Sequence, residues 1–288
     1  MKKLPSYLKG LIVTVAGILV LSPDSLLVRL IATDAWTLLF WRGLLMAVGT
    51  SAGLALIYRG KLLQAFYRTG RPGWLAGALM GAGTMLFVQA LSRTSVANVL
   101  IIIGVGPLYA ALLGRVFLKE AVALRTWLAI GATLTGIWVT ISDDASHGRL
   151  SGDLCAALAA LCQACYLTVL RSSQDVDMTP TVALGGLLAA LCAWPLAAPL
   201  ALTLSDALFS ALLGLVVLPV SLVLIALGPR YLPAPEVNLV MLLEIVLGPY
   251  WVWLALGEEP GIRAFVGGAI VLATLILHSV AGLRQSRP

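Results

Sequence analysis

Ten apolar stretches, each long enough to cross a membrane, constrain the fold of this 288-residue chain more than any other feature. The chain is 60% hydrophobic and 11% charged, whereas soluble domains carry about 25% charged residues. A membrane span needs about 20 mostly apolar residues, and this much apolar surface cannot be buried in one water-soluble core. The sequence therefore predicts an all-α polytopic membrane protein with ten transmembrane helices. These cover residues 9–30, 35–58, 73–91, 96–116, 124–142, 152–171, 179–198, 207–228, 235–256 and 261–282.

The positions of Lys and Arg predict the orientation of the spans. Most of the 19 basic residues lie at the ends that share a side with the N-terminus, beginning with Lys2, Lys3 and Lys9. Basic residues are enriched on the cytoplasmic side of membrane proteins. Both termini are therefore predicted to be cytoplasmic, and the net charge of +6 indicates membrane orientation rather than nucleic-acid binding. The first apolar run has no cleavage site near its end, so we expect it to be a retained span.

The two halves of the chain end in similar segments. Placing Gly106 on Glu244 also places Glu120 on Glu258 without a gap. Ten spans divide into two groups of five, and because five is odd, the second group enters the membrane from the opposite side. The sequence thus predicts two inverted five-helix repeats, at residues 1–149 and 150–288.

Four short motifs carry a resemblance to a known family. They are A-L-S-R-T-S-V-A-N-V at 90–99, G-P-L-Y-A-A-L-L-G-R-V-F-L-K-E at 106–120, F-W-R at 40–42, and L-L-E at 242–244 with G-E at 257–258. With them the chain resembles the drug/metabolite transporter superfamily, in its ten-helix branch built from two EamA-type repeats, and most of all the YddG-type exporters of amino acids. One position departs from the family pattern: Ile245 follows Glu244 where the family usually has proline, and the proline comes later, at Pro249.

The resemblance implies a fold and a class of function. The fold is a ten-helix basket around a central cavity, with the fifth and tenth helices at the periphery. The function is secondary transport of small metabolites across the inner membrane, usually outward. The resemblance implies no cofactor.

Charged residues inside the spans are the first candidates for a binding site, because an acid at the centre of a span costs roughly 2.5–3.5 kcal/mol on insertion scales. Glu244 lies near the middle of the ninth span. It would carry a proton or bind a substrate ammonium group, unless it is a protonated or helix-paired structural residue. Asp24 and Arg42 lie in the outer parts of the first two spans. They would pair with each other or meet the charged ends of a zwitterion; for Arg42, a structural pair or a position at the outer interface is also open.

Uncharged polar residues inside the spans are the second candidates. Their side chains would either line a cavity or hold neighbouring helices together by hydrogen bonds. Two tyrosines could offer a ring and a hydroxyl group to a ligand. These residues are Gln89, Asn98, Gln163, Asn238, Tyr109 and Tyr166.

Prolines inside spans are candidates for bending or gating, because proline removes a backbone hydrogen bond and clashes with the preceding turn. Pro23, Pro107, Pro219 and Pro249 lie in spans one, four, eight and nine. The alternative is that the membrane simply tolerates them, since proline is commoner in transmembrane helices than in soluble ones.

Missing motifs narrow the class of function. The chain has no G-x-x-x-x-G-K-[ST] and no H-E-x-x-H, so neither an ATPase nor a zinc protease is indicated. We predict a non-enzymatic inner-membrane secondary transporter without cofactor or metal, which exports amino acids, aromatic ones included, and related small metabolites by alternating access. A proton is the candidate coupling ion, and the lipid bilayer and the small-molecule substrate are the expected partners. An exporter of drugs or other metabolites is the alternative within transport, and a channel is the alternative from another class.

Overall fold

The computed structural model describes residues 6–93, 99, 102–141, 150–200, 202–257 and 262–285. Within these ranges the regular structure is helical and contains no β-strand, as the sequence predicted. The first half contains α1 (Ser6–Leu21), α2 (Asp24–Leu30), α3 (Ala35–Tyr58), α4 (Leu62–Leu91), α5 (Gly106–Phe117) and α6 (Leu124–Ile141). The second half contains α7 (Leu150–Ser172), α8 (Pro180–Ala193), α9 (Leu204–Leu212), α10 (Leu218–Leu227), α11 (Ala234–Met241), α12 (Leu243–Leu256) and α13 (Ile262–Gln285).

Each of the ten predicted spans contains helix, and several are made of two helices in succession. Six continuous stretches are long and apolar enough to cross a membrane by length and composition, and two further apolar helices are shorter. The six are Ser6–Leu30, Ala35–Tyr58, Leu62–Leu91, Leu150–Ser172, Leu204–Arg230 and Ala234–Ala255, and the shorter two are Pro180–Leu196 and Val266–Ala281. Spans four and five correspond to α5 and α6, next to residues outside the described ranges.

Local sequence explains where two of the spans begin. Asp34 precedes α3, and its carboxylate accepts hydrogen bonds from the backbone N–H groups of Trp36 and Thr37 at 2.9 and 3.0 Å. It thereby satisfies two of the N–H groups that a helix start leaves without partners. Within α4, Gly70 adopts φ 57° and ψ −155°, a conformation that favours glycine. This kink separates a short first helix from the predicted third span, which starts just after Pro72.

Three spans are interrupted near a proline. In span one, α1 ends at Leu21 and α2 begins after Pro23. In span four, α5 begins at Gly106 with Pro107 in its first turn. In span eight, a π-helical stretch, Leu213–Val217, lies directly before Pro219. Proline lacks the backbone N–H group, and π-bulges and prolines are recognised causes of irregular helix geometry.

Span nine is interrupted at Leu242, and α12 continues through Pro249. The break therefore lies at Leu242 and not at Pro249, the proline that the sequence indicated as a bending point. At Leu242 the backbone forms two short-range hydrogen bonds, from Leu242 N to Leu239 O and from Ile245 N to Leu242 O, both 3.1 Å. These are i to i+3 bonds, which tighten the chain into a 3₁₀-like turn.

The breaks in spans four and nine lie at equivalent places. Span four is interrupted by a turn at Gly104 and Val105. Placing Gly106 on Glu244, as the internal similarity requires, places Gly104 on Leu242. The similarity of the two segments thus extends to their irregular backbone, although only the first copy has glycine and proline there.

The packing of the spans is symmetric under exchange of the two halves. Spans two and seven pack on each other, as do four and nine, and five and ten. Span three packs on span six, and the equivalent pair in the exchanged halves, span eight and span one, also packs together. In the same way, the contact between spans four and six corresponds to the contact between spans nine and one. A pseudo-two-fold axis between inverted repeats produces this pattern, so the chain has the predicted architecture of two inverted five-helix repeats.

The crossing of α3 and α8 depends on two glycines. A Cβ atom on Gly43 would lie 2.6 Å from the carbonyl oxygen of Gly186, and one on Gly186 would lie 2.7 Å from the carbonyl oxygen of Gly43. Small residues allow this close backbone approach in membrane helices, where van der Waals packing drives association. Spans two and seven therefore form a tight contact on the pseudo-symmetry axis.

Side-chain contacts tie together the helix ends on each face of the bundle. On the face where α1 begins, Tyr58 donates a hydrogen bond to Asp177, and Arg171 contacts Glu120 at 2.9 Å. We call this the predicted cytoplasmic face. On the opposite face the Ala32 backbone N–H group donates to Asp206 Oδ1 at 3.0 Å. The central cavity lies between these two sets of contacts.

Candidate functional site

The central cavity lies between helices of both repeats and has a volume of about 150 Å³. Spans one to four contribute one side, and spans six, eight and nine contribute the other. Among the described residues, none from α6 or α13 lines it, in keeping with a peripheral place for spans five and ten. Its lining residues are Leu21, Asp24, Arg42, Met80, Gly83, Thr84, Phe87, Ile103, Ala159, Ala160, Gln163, Leu218, Leu222, Met241 and Glu244.

Asp24 and Arg42 form a two-point ion pair at the edge of this cavity. Arg42 Nη1 donates to Asp24 Oδ1 at 2.6 Å, and Nη2 donates to Oδ2 at 3.0 Å. Only 3% of Asp24 and 8% of Arg42 is exposed. Asp24 is in the first turn of α2, just past the break at Pro23, where the positive end of a helix dipole favours a negative charge. Charge-assisted two-point contacts of this kind are among the strongest hydrogen bonds in proteins.

Glu244 is in the first turn of α12, just past the break at Leu242. Its carboxylate lines the same cavity and interacts electrostatically with both members of the Asp24–Arg42 pair. Among the described residues it has no hydrogen-bond or ion-pair partner. Asp24 and Glu244 therefore share one arrangement: each acid begins a half-helix after a break and faces the cavity.

The walls of the cavity are mostly apolar. Phe87 and Met80 come from α4, Leu222 from α10, and Met241 lies just before the break in span nine. The Gln163 amide nitrogen contacts the Met241 sulfur at 3.5 Å, so this side chain bridges spans six and nine. Sites for small molecules typically combine such apolar walls with a few placed polar groups.

The structure brings four of the predicted site residues together at the cavity: Asp24, Arg42, Gln163 and Glu244. Gln89 lies outside it, near the end of α4, where its side-chain oxygen accepts a hydrogen bond from Arg93 at 3.0 Å. Asn98 lies outside the described residues. The roles of Gln89 and Asn98 in binding stay predictions.

The remaining three predicted residues lie in the packed interior. Tyr109 is half-buried against the main apolar core. Tyr166 and Asn238 are buried, and the Asn238 amide nitrogen has no hydrogen-bond partner among the described residues. Buried polar groups without partners are uncommon in native structures. Neither residue lines the cavity in this conformation.

Sequence reasoning missed a second group of buried polar side chains, on the predicted cytoplasmic face. Glu236 of α11 accepts a hydrogen bond on Oε1 from Arg125 Nη2 of α6 at 3.1 Å. His278 Nε2 of α13 lies 3.8 Å from the same oxygen, and the Arg125 guanidinium lies 5.7 Å from the ring centre of Tyr7 of α1. Four spans thus meet at one carboxylate. The available signal was Glu236 itself, an acid in the first turn of an apolar span.

Comparisons with known proteins identify the family. The model of the EamA-like transporter family matches residues 8–142 and, a second time, residues 150–280. A curated relative, the probable 4-amino-4-deoxy-L-arabinose-phosphoundecaprenol flippase subunit ArnE of Pseudomonas syringae pv. syringae (strain B728a), is 34% identical over 65 residues. That match covers 23% of this chain and 60% of the relative.

A solved structure shares the fold. One crystal structure with 18% sequence identity matches with a TM-score of 0.80, over 94% of this chain and 98% of the other. At this identity the likeness shows the fold alone. Since the family model covers most of the chain and matches it twice, this protein is a member of the EamA-like transporter family, within the drug/metabolite transporter superfamily, and a multi-pass membrane transporter.

Proposed function

We propose that this transporter exports amino acids, aromatic ones included, by alternating access. The observation that carries the proposal is the central cavity, which a buried Asp24–Arg42 pair and the Glu244 carboxylate both line. An amino-acid zwitterion has one positive and one negative end, so it can interact with both signs of charge in one small space. The resemblance to the YddG-type exporters supports the same substrate class.

The charges suggest a binding pose. The substrate ammonium group would contact Glu244, which has no described hydrogen-bond partner. The substrate carboxylate would contact the Arg42 guanidinium. The pair with Asp24 uses one N–H group on each of Nη1 and Nη2, so other N–H groups, that of Nε among them, remain for the substrate. The substrate side chain would then lie against Phe87, Met80 and Leu222.

The broken spans supply the bending that alternating access requires. Spans one and nine are interrupted directly before Asp24 and Glu244, so rotation of a half-helix at either break would move a charged residue of the site. The π-helical stretch before Pro219 adds a third irregular segment beside the cavity. Irregular backbone within a membrane is tolerated where it lines a cavity or is buried in protein.

Glu244 is also the candidate for proton coupling. A carboxyl group that alternates between the two faces of the membrane carries a proton when it is neutral and releases it when it ionises. Binding of a substrate ammonium group favours the ionised form, so substrate and proton would compete for this residue. Such competition is the simplest route to export driven by proton entry.

The topology and location follow the sequence prediction. We propose that the protein is in the inner membrane with both termini in the cytoplasm, and that the repeats divide between residues 149 and 150. The ranges that the family model matches support this division. A C-terminal fusion to a reporter that is fluorescent only in the cytoplasm tests the orientation: fluorescence supports it, and a dark, full-length fusion contradicts it.

Counterflow in proteoliposomes tests the function. Vesicles with reconstituted protein are loaded with one unlabelled amino acid at a time, and uptake of the same amino acid in tritiated form is followed. Saturable uptake that requires the internal amino acid supports a carrier for that substrate. Uptake that does not saturate indicates a channel, and no uptake with any amino acid by folded protein shows that the substrate is of another class.

A further inference from the structure

We propose that Arg125 and Glu236 form a loading site for an amino-acid zwitterion on the predicted cytoplasmic face, distinct from the central cavity. The inference rests on the proposed export of amino acids. At this site the substrate carboxylate binds Arg125 in place of Glu236, and the substrate ammonium group binds Glu236 in place of Arg125. Substrate binding thereby opens the contact that holds four spans together.

A pocket lies beside the pair. It has a volume of about 190 Å³ and is bounded by the end of α5, the start of α6 and the start of α11. Both Arg125 and Glu236 line it, together with Glu120 and Thr126. Because it opens among helix ends on one face, the pocket can receive a solute from that side without passing through the bilayer.

The pair has free hydrogen-bonding capacity on both members. Arg125 uses Nη2 for Glu236, and among the described residues its Nε and Nη1 atoms have no hydrogen-bond partner. Glu236 is nearly fully buried, and within the part of the chain that the structure describes its Oε2 atom has no hydrogen-bond partner. A buried polar group without a partner costs about 1–3 kcal/mol, so a ligand with both a donor and an acceptor would relieve this cost on each side. These atoms become available to such a ligand when the pair separates.

The surrounding charges favour a zwitterion over an anion or a cation. Glu120, the other acid of the pocket, is paired with Arg171 at 2.9 Å. The charged groups at the pocket are therefore balanced, two acids against two arginines, and a ligand with a net charge would leave one of them uncompensated. His278 and Tyr7 face Glu236 from α13 and α1.

The loading site is connected to the central cavity through span nine. Glu236 is in α11, Glu244 is in α12, and the break at Leu242 lies between them. Release of Glu236 from Arg125 removes the ion pair between α11 and α6, and the break allows α11 to shift without α12. Binding at one end of the span can therefore bias the position of the other.

Equilibrium binding to the full-length protein in lipid nanodiscs tests the proposal. Tritiated L-alanine and L-phenylalanine are used separately, up to millimolar concentration. We expect two sites per chain for wild type and one for the double variant Arg125→Met/Glu236→Gln, which removes both charges together. The double change avoids the uncompensated buried charge that either single change would leave, and binding that remains at the central cavity shows that the variant is folded.

Two further variants separate the sites. Glu244→Gln removes the proposed central ligand and should leave the loading site, so that one site per chain remains. Asp175→Asn, an acid on the same face outside the loading pocket, is the matched control and should retain both sites.

The outcomes distinguish this inference from the proposed function. Two sites in the Arg125→Met/Glu236→Gln variant contradict the loading site. A single wild-type site that is lost in Glu244→Gln also contradicts it, while the proposed function stands. No binding of either amino acid to folded wild type contradicts the amino-acid assignment, and the loading site with it.

Discussion

Two buried ion pairs, one at the central cavity and one at the predicted cytoplasmic face, differ in how completely their atoms are used. Arg42 and Asp24 meet at two points, with both carboxylate oxygens engaged. Arg125 and Glu236 meet at one point, and atoms on both residues have no hydrogen-bond partner among the described residues. The first pair joins neighbouring spans of one repeat, and the second joins spans of different repeats. The first is therefore suited to hold a fixed charge at the cavity, and the second is suited to exchange partners when the repeats move.

Arg42→Met should be the most destabilising change, because it leaves Asp24 buried without its partner. Breaking a buried pair in this way costs about 3–5 kcal/mol. Denaturant unfolding in detergent measures the loss. The double variant Asp24→Asn/Arg42→Met should be more stable than Arg42→Met alone, since no uncompensated charge remains; equal stability would show that the two residues are not coupled.

Arg125→Met should cost about 3 kcal/mol, the lower end of the range for breaking a buried ion pair, because it breaks one hydrogen bond where Arg42→Met breaks two and 22% of the Arg125 side chain is exposed. The same unfolding measurement applies. A loss as large as that of Arg42→Met would remove the distinction between a fixed pair and an exchangeable one.

Glu120→Gln should cost at most about 1 kcal/mol, because exposed ion pairs contribute little. A third of the Glu120 side chain and 18% of the Arg171 side chain are exposed, and Arg171 keeps its 3.1 Å hydrogen bond to the Pro229 carbonyl oxygen. Added salt should reduce the difference from wild type further. A loss that salt does not affect would indicate that this pair, too, is shielded from solvent.

Glu244→Gln should change stability least, because within the described part of the chain the carboxylate has no ion-pair partner to lose. Its expected effect is on transport: exchange by the variant should be slower than by wild type because the central site is weakened, and the exchange that remains should not vary with pH, whereas that of wild type should. Counterflow at a series of pH values measures this. An unchanged pH dependence in the variant would exclude Glu244 as the proton carrier, whatever its role in binding.

The fold could be predicted from sequence because its main determinants are local. Apolar runs of span length, basic residues at one set of ends and an odd number of spans in each half were enough for ten helices in inverted repeats. The break at Pro107 was also visible, since glycine and proline stand together there. The break at Leu242 was not, because neither glycine nor proline stands beside it in the sequence.

The candidate site was only partly predictable. Asp24, Arg42 and Glu244 stood out because charge inside a span is costly, and the structure places all three at one cavity. The group around Glu236 was missed because its members come from four distant parts of the chain and three of them lie close to span ends. Near a span end, a polar residue needs no special explanation, so the sequence gives no reason to connect them.

The most direct test of the central claim is counterflow of one transported amino acid by wild type and by Arg42→Lys, at equal amounts of reconstituted protein. Lysine keeps the positive charge but cannot make the two-point contact of the guanidinium group. We predict saturable exchange by wild type and, for Arg42→Lys, a KM raised about tenfold or more, which corresponds to about 1.4 kcal/mol of binding free energy. An unchanged KM in a folded variant would show that the pair at the cavity does not bind the substrate, and would contradict the account.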